Sequence, residues 1–349
     1  MSKLLLLLNF YLFSPLFAAH VHIIAVGDIL VHMPLQKKGF KTGFATLWLD
    51  VIPQLNQADI TYGNLEGPAA GMITMCGNET KYHSLAYTAF PMFNYPPSLI
   101  GALKLSGFDI LSTANNHSLD RWGIGIDKTI DALHTNAMAF TGTRLQNGKG
   151  AFFAETNAHG ISIAWLACTK HTNDIADKHR QVLKCYRDKE ELLHLISELA
   201  KTHDAVIVTP HWGEEYHERY NKDQERLAKE FAEAGALAIL GSHPHWVQPF
   251  AWLTMPAGKK VFVAYSLGNF ISNQGKLPNR ASGLLSLYLK KQTDGRVIIE
   301  KVNYQPTYME NRGNQLQLTL VKSKKHPAYQ LLKRIIGEEY LILPEKGNQ

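Results

Sequence analysis

Cysteine is scarce in this sequence, and no cysteine-rich motif occurs. The 349 residues contain Cys76, Cys168 and Cys185, and no two of these have Cys-x-x-Cys spacing. A metal site built on cysteine thiolates is therefore not expected. In an exported protein one disulfide could form. Cys168 and Cys185 are the closest pair in sequence, but the spacing alone leaves that pairing open.

The sequence also lacks a dense basic segment interleaved with aromatic residues. Its 36 Lys and Arg residues outnumber its 30 Asp and Glu residues, and the formal net charge is +6. A surplus of this size is typical of a solvated surface and does not indicate a nucleic-acid partner. The basic cluster at residues 322–325 is short. The charge remains compatible with an anionic polymer as a partner.

Long apolar runs are missing after the N-terminus. Residues 1–19 contain an early lysine, an apolar stretch and a terminal Ala-Ala pair, which is the pattern of a secretory signal peptide. An uncleaved anchor is the alternative, although the stretch is shorter than the about 18 apolar residues of a membrane span. These features predict an exported protein that is periplasmic or associated with the cell envelope.

Apolar runs typical of strands alternate with amphipathic segments typical of helices. Helical patterns cover, among others, residues 44–52, 123–136, 189–200 and 222–234, and Pro53 is expected to stop the first of these helices. The alternation predicts an α/β fold with a largely parallel central part. Residues 67–95 and 169–187 are expected to be loops. The predicted division is a leader at 1–19, one domain at 20–305 and a C-terminal appendage at 306–349.

Six predicted strands end in polar side chains that can bind a metal ion or a ligand. These residues are Asp28, Asn64 with Glu66, Asn116 with His117, His211, His243 with His245, and Asn269. Each one alone has an ordinary explanation as a helix cap, a turn residue or a buried structural histidine. In open α/β sheets, however, ligands bind outside the carboxyl ends of the strands. We therefore expect these side chains to converge on a polynuclear metal site.

The segment Gly241-Ser242-His243-Pro244-His245 is the clearest part of this pattern. Pro244 disfavours helical geometry at His243, so the segment is expected to be extended, with both rings on one side. Two exposed loop histidines are the alternative for this motif alone. Oxygen and imidazole ligands without thiolate suit Mn, Fe or Zn. One carboxylate shared by two divalent ions would make a two-metal centre.

Five motifs together resemble the CapA family of capsule-synthesis proteins. They are Asn64-Leu65-Glu66-Gly67, Asn115-Asn116-His117-Ser118-Leu119-Asp120, His211-Trp212-Gly213-Glu214-Glu215-Tyr216, Gly241-Ser242-His243-Pro244-His245 and Tyr265-Ser266-Leu267-Gly268-Asn269-Phe270. The family is associated with the synthesis, export or anchoring of poly-γ-glutamate. Its fold is similar to that of calcineurin-like metallophosphoesterases. The resemblance implies a four-layer β-sandwich flanked by helices, with ligands at the carboxyl ends of the strands.

The resemblance also implies the metal ligands, position by position. Asp28, Glu66 and His245 would hold a first ion, and Asn116, His211 and His243 would complete a second site. Glu66 would be the carboxylate shared by both ions. The phosphoesterase pattern has a histidine two residues after its first aspartate, where this chain has Leu30. His32 is the expected substitute, and the first site is weakened accordingly.

Catalytic and substrate-binding roles follow in the same way. His117 would donate a proton to the leaving group, and Asp120 would fix its tautomer. Glu214 with Glu215, Tyr216 and Asn269 would shape the substrate cleft; their alternative is an ordinary role in loops and packing.

Two functions are compatible with this sequence. The first is a metal-dependent hydrolase that acts outside the cytoplasm on a phosphoester or on an amide of a cell-envelope polymer. The second is a non-catalytic capsule export or anchoring factor that binds an anionic polymer, and Leu30 favours it. The expected partners are that polymer or its precursor, together with membrane proteins of capsule synthesis.

Overall fold

Two β-sheets with helices on their outer faces form the core of the computed structural model, which describes residues 19–312 and 315–344. The predicted leader lies almost wholly outside the described residues. The strands are β1 (His20–Ile29), β2 (Ile60–Leu65), β3 (Ile110–Ser112), β4 (Ala139–Thr141), β5 (Phe153–Ala158), β6 (Ile161–Thr169), β7 (Ala205–His211), β8 (Ala238–Leu240), β9 (Phe250–Thr254), β10 (Lys260–Ala264), β11 (Asn269–Ile271), β12 (Ala281–Lys291), β13 (Val297–Arg312) and β14 (Gln315–Leu320).

The helices connect these strands and cover the sheets. They are α1 (Met33–Thr42), α2 (Ile52–Leu55), α3 (His83–Ala86), α4 (Ser98–Leu105), α5 (Trp122–Thr135), α6 (Lys189–Thr202), α7 (Lys222–Ala234), α8 (Leu277–Arg280) and α9 (Pro327–Ile336). Short 3₁₀ turns occur at Phe44–Leu47, Leu49–Val51, Pro256–Gly258 and Glu338–Tyr340. Within the described ranges, no helix has both the length and the apolarity needed to cross a bilayer.

The strand order explains why the ends of the strands meet. The first sheet has the order β14-β13-β12-β1-β2-β3-β4, with β11 beside β1, and the second has the order β5-β6-β7-β8-β10-β9. Strands β1 to β4 are mutually parallel, and so are β6, β7, β8 and β10. The predicted α/β fold with a largely parallel central part is confirmed. Antiparallel strands extend both sheets.

Side-chain alternation produces four layers. In β1, Ile23 and Ala25 face the second sheet, where they share a core with Trp165, whereas Ile24 and Val26 face the helices. The second sheet alternates in the same way and packs its other face on α6 and α7. Each large apolar side chain buried between layers stabilises the fold by about 1.5–3 kcal/mol. The layers are helix, sheet, sheet and helix, as the four-layer prediction requires.

The predicted helix over residues 44–52 is wrong in detail. The structure has two 3₁₀ turns there, and α2 begins at Ile52 with Pro53 in its first turn. Proline is compatible with the first turn of a helix because its missing N–H has no partner within the helix there. Pro53 therefore starts a helix and does not stop one.

The predicted boundary at residue 305 also needs correction. It falls inside β13, and β14 pairs with β13 over Thr307–Arg312 to extend the first sheet. Helix α9 packs on the same part of the fold, with Leu332 and Ile336 in the core between the sheets. Residues 306–344 are thus continuous with the domain, as far as the structure describes them.

Candidate metal centre

The predicted ligands come together where the carboxyl ends of both sheets meet. The first sheet supplies Asp28 from β1 and Glu66 just after β2, and the second supplies His211 at the end of β7. Close backbone approach makes this possible: a Cβ atom at Gly27 would overlap the carbonyl oxygen of Gly268, and the N–H of Asp28 donates to that oxygen at 2.9 Å. Glycine before Asp28 therefore lets β1 bring its carboxylate to the centre.

Asp28, Glu66 and His245 form a first cluster. The Nδ1 atom of His245 lies 3.2 Å from Oδ2 of Asp28 and 3.8 Å from Oε2 of Glu66. All three side chains are buried, and one ligand atom from each lies within 4.8 Å of the others. Oδ1 of Asn269 is 3.0 Å from the same Nδ1 atom. The Nδ1–H group of His245 thus faces a concentrated set of oxygen atoms.

Asn116, His211 and His243 form a second cluster next to the first. Nε2 of His211 lies 2.9 Å from Oδ1 of Asn116, 3.2 Å from Nδ1 of His243 and 3.7 Å from Oε1 of Glu66. Nδ1 of His211 lies 2.8 Å from the Ser242 hydroxyl, so Nε2 is left to face the cluster. These nitrogen and oxygen atoms suit a borderline divalent metal ion.

Glu66 lies between the two clusters, with Oε2 towards the first and Oε1 towards the second. The side chain is fully buried, and neither oxygen has a hydrogen-bond partner among the described residues. Burial, and then Asp28, raises the pKa of Glu66 well above its usual range. A buried carboxylate without partners is costly. Cations on both sides would supply the missing partners, so the residues present fit a shared carboxylate ligand.

The two clusters differ in the protonation of their imidazoles. Burial, followed by neighbouring imidazoles, lowers the pKa values of His211 and His243 well below the usual value. Burial also acts to lower the pKa of His245, but Glu66 and Asp28 outweigh it and raise that pKa to about 9. Without a cation, His211 and His243 are therefore neutral at pH 7, and His245 carries a proton.

His117 and Asp120 make the contact that the sequence predicts. Nδ1 of His117 lies 2.7 Å from Oδ2 of Asp120, and that oxygen also accepts the Phe93 N–H at 2.6 Å. The Phe93 ring packs edge-on against His117 at 4.7 Å. Both polar side chains are buried. The imidazole is thus held with Nδ1 on Asp120, and Nε2 has no hydrogen-bond partner within the described ranges.

The backbone of the His243–His245 segment is not extended, contrary to the prediction. His243 has φ 98° and His245 has φ 57°, both in the left-handed region that disfavours residues with a side chain. Such conformations cost about 1–3 kcal/mol each and persist when the surrounding structure holds them. They direct the two rings to different clusters, with centroids 6.3 Å apart.

The predicted cleft residues differ in how close they lie to His245. Glu214 is exposed, whereas Oε1 of Glu215 comes within 4.0 Å of Nε2 of His245. The Tyr216 ring lies 5.8 Å from that of His245, and its hydroxyl accepts from Gln274 at 3.2 Å.

Asn269 occupies a different position from the one expected of a substrate-binding residue. It is buried beneath His245, and its amide nitrogen donates to Ser272, Gln274 and Asn279. The amide is thus used within the protein, and it orients His245.

Position 30 itself supplies no metal ligand. Leu30 is buried in the core on the helix side of the first sheet. Nδ1 of His32 lies 3.2 Å from the Leu30 carbonyl oxygen and 3.2 Å from the Asn273 nitrogen, which donates to it. Nδ1 of His32 is thus used by the backbone, and the expectation that His32 replaces the missing ligand stays a prediction that concerns its Nε2 atom.

Two further side chains adjoin the centre, although the sequence pattern placed them only in a polar loop. The His171 ring lies 5.4 Å from that of His243, and Oδ1 of Asn173 accepts from Asn116 at 3.3 Å. Neither residue follows a predicted strand, so neither hydrophobic periodicity nor a strand end identifies it as a candidate site residue. The cysteine pair that encloses this loop was the available signal, and the structure joins Cys168 to Cys185.

Comparison with known proteins places this geometry in context. The family described as bacterial capsule synthesis protein PGA_cap matches residues 22–274. The PGA biosynthesis protein CapA of Bacillus subtilis is 28% identical over 281 residues, which cover 80% of this chain and 70% of that protein. The capsule biosynthesis protein CapA of Bacillus anthracis is 29% identical over 283 residues, covering 79% and 65%.

A solved structure supports the fold. The calcineurin-like phosphoesterase YfkN from Bacillus subtilis matches with a TM-score of 0.50 and 16% identity, covering 86% of this chain and 94% of that one. At this identity the likeness concerns the fold alone. The predicted calcineurin-like architecture is confirmed. Independently of the fold, the buried cluster of Asp28, Glu66 and His245 provides three groups that could hold a metal ion.

Proposed function

The chain belongs to the family of bacterial capsule synthesis proteins (PGA_cap), and we propose that it is an exported, divalent-metal-dependent hydrolase of an anionic cell-envelope polymer or its precursor. The bond cleaved is a phosphoester or an amide of that polymer, with poly-γ-glutamate as the candidate that the relatives' names suggest. Membrane proteins of capsule synthesis are proposed partners.

The buried, unpartnered carboxylate of Glu66 carries this proposal. It lies between two clusters whose atoms are metal ligands by type, and no packing role requires a buried carboxyl group without a hydrogen-bond partner among the described residues. Two ions of Mn, Fe or Zn would be held, the first by Asp28, Glu66 and His245, the second by Glu66, Asn116, His211 and His243. When bound, such ions would stabilise negative charge developing on the attacked phosphoryl or carbonyl oxygen.

The chain's own residues supply the proton chemistry. His117 is held by Asp120 so that Nε2 can deliver a proton to the leaving group, and typical general acids contribute about 10²–10⁴-fold to the rate. Glu215 and Tyr216 border the first cluster on the side of His245 and would contact the substrate.

Metal analysis of the purified protein tests the proposal. Elemental mass spectrometry should find about two equivalents of metal, and His243→Ala should lose about one with the circular dichroism spectrum unchanged. His194→Ala, at an exposed histidine on α6, is the matched control and should keep both. A wild-type protein that is metal-free and binds polyglutamate would rule out the hydrolase.

Turnover distinguishes the proton donor from the metal ligands. A generic phosphodiester and a γ-glutamyl peptide would be compared as substrates. His117→Ala should retain metal and lose about 100-fold or more in turnover. Unchanged turnover with the better substrate would refute the assigned role of His117.

A non-catalytic capsule factor is the second candidate, and one observation favours it. The first cluster lacks a ligand from position 30, because Leu30 is packed in the core. If one ion or none binds and turnover is absent for both substrates, the protein would instead act by binding the polymer.

A further inference from the structure

The loop of residues 169–184 is fastened to the second sheet beside the metal centre. A disulfide joins Cys168, in β6, to Cys185, 17 residues later. The N–H of Lys170 donates to the carbonyl oxygen of His211 at 2.9 Å. The loop therefore follows the end of β7 and cannot move away from the second cluster without breaking these connections.

Two side chains of this loop reach the second cluster. Asn173 accepts a hydrogen bond from Asn116, and the His171 ring packs edge-on against His243 at 5.4 Å. The N–H of Asn173 donates to Nδ1 of His171 at 3.3 Å, so the proton of the neutral ring is on Nε2. His171 thus carries an N–H donor next to a proposed metal ligand.

A hollow of about 280 Å³ opens beside His171, and two lysines line it. Lys184 is only 7% exposed, and its Nζ donates to the Thr172 hydroxyl at 2.6 Å. Nζ of Lys170 donates to the Gly213 carbonyl oxygen at 3.2 Å. Among residues 19–312 and 315–344, no carboxylate oxygen lies within 4.0 Å of either ammonium group.

The other charged groups of the hollow are largely used elsewhere. Arg187 donates to Asp188 at 2.8 and 2.9 Å. The carboxylate of Asp177 accepts the N–H groups of Gln181 and Val182. Asp174 also lines the hollow and is exposed to solvent. Among the described residues of the hollow, Lys170 and Lys184 are thus the cationic groups without a carboxylate partner, and a buried ammonium such as that of Lys184 gains stability from an anionic partner.

We propose that this hollow is an anion subsite, which binds a carboxylate or phosphate group of the substrate next to the bond cleaved at the metal centre. Lys170, Lys184 and the Nε2–H group of His171 would bind its oxygen atoms. The inference rests on the proposed function, because it places the subsite beside the reacting group. A polymer with an anionic group on each repeat unit would occupy both positions at once.

Binding to the full chain after chelator treatment tests the subsite without requiring metal or turnover. Isothermal titration calorimetry would use inorganic phosphate and γ-glutamylglutamate as two separate probes, so that the tighter one identifies the oxyanion preferred. Lys184→Gln and Lys170→Gln should each weaken the preferred probe by about ten-fold or more, as expected for a hydrogen bond to a charged group. Lys178→Gln, an exposed lysine in the same loop, should leave it unchanged.

The outcomes separate this inference from the proposed function. Lys170 is exposed, so Lys170→Gln should fold even if Lys184→Gln does not. Equal affinity in Lys170→Gln and Lys178→Gln, or no binding of either probe to the wild-type protein, would overturn the subsite even if the protein binds metal. Conversely, binding that depends on Lys170 in a protein that takes up no metal would support the subsite and reject the hydrolase.

Discussion

The two halves of the metal centre are built differently. The first half, Asp28 with His245, is enclosed by the protein, because Asn269 supports the histidine and is itself held by three hydrogen bonds. The second half, Asn116 with His211 and His243, is bordered by the loop of residues 169–184. Among the described residues, Glu66 is the proposed ligand that both halves share.

This difference suggests that the two halves of the metal centre have different functions. A half enclosed by strand ends and a fixed amide is suited to holding one ion in a constant position. A half bordered by a loop whose ammonium groups have no carboxylate partner among the described residues is suited to recognising what the substrate carries beside its reacting group. Substitutions should therefore affect the halves separately, except at Glu66.

Glu66→Gln should have the largest effect, because it removes the carboxylate that both halves share. The loss of metal affinity should exceed the roughly 100-fold that removal of an outer-shell partner typically causes. Elemental analysis after dialysis would measure it, with Glu233→Gln, an exposed residue of α7, as the control.

The same variant should not destabilise the metal-free protein. Burial next to Asp28 makes the ionised form of Glu66 unfavourable, so an amide there should leave the melting temperature equal or higher. Retention of both ions in Glu66→Gln would show that the two halves are not joined through this residue.

Asn269→Ala should affect the first half alone, with a smaller loss. Without the amide oxygen at 3.0 Å, His245 is less well oriented, and outer-shell losses of this kind weaken metal binding about 10–100-fold. Calorimetric titration should show one weakened site and one unchanged site.

Asn279→Ala is the control for that variant, because the Asn279 side chain donates to Gln274 in the same network without contacting His245. A similar loss at both sites in Asn269→Ala would contradict the separation of the halves.

Measured per pH unit, the smallest predicted effect is a difference in pH dependence. In the metal-free protein the pKa of His245 is raised to about 9, so below pH 9 a cation at the first half must displace a proton. Affinity there should fall by up to about ten-fold for each pH unit below 9. The pKa values of His211 and His243 are lowered, so the second half has no imidazole proton to displace near neutral pH.

Titrations at several pH values between 6 and 9 would resolve the two slopes. Glu66 adjoins both halves, so its raised pKa affects both sites, and the difference between the halves must come from His245. His245→Gln should remove the steeper slope. Equal slopes for both sites in the wild-type protein would be inconsistent with the proton on His245.

The convergence of the strand-end residues could be predicted because parallel strands of one sheet all place their carboxyl ends at the same edge. Asp28 follows a buried run, and His211 ends another, so their meeting required only that both sheets present the same edge. The 2.7 Å contact of His117 with Asp120 could also be predicted, because the two residues are only three positions apart in one turn.

Other parts of the site depend on long-range contacts that no local pattern encodes. The left-handed backbone at His243 contradicts the local preference set by Pro244 and persists because both sheets hold the segment. Asn269 looked like a cleft residue, yet the buried network around it assigns its amide to His245. His171 reaches the centre only because its loop is fastened to β6 and β7.

By itself, the sequence determined the alternation of strands and helices, the family motifs and the chemical types of the ligands, because these follow from short spacings and side-chain chemistry. Tertiary structure alone decided that Glu66 lies between two clusters with no hydrogen-bond partner in the described part of the chain, and that Lys170 and Lys184 face a hollow beside one of them. Burial and the absence of a partner are properties of all surrounding atoms, and they arise only when distant segments pack together.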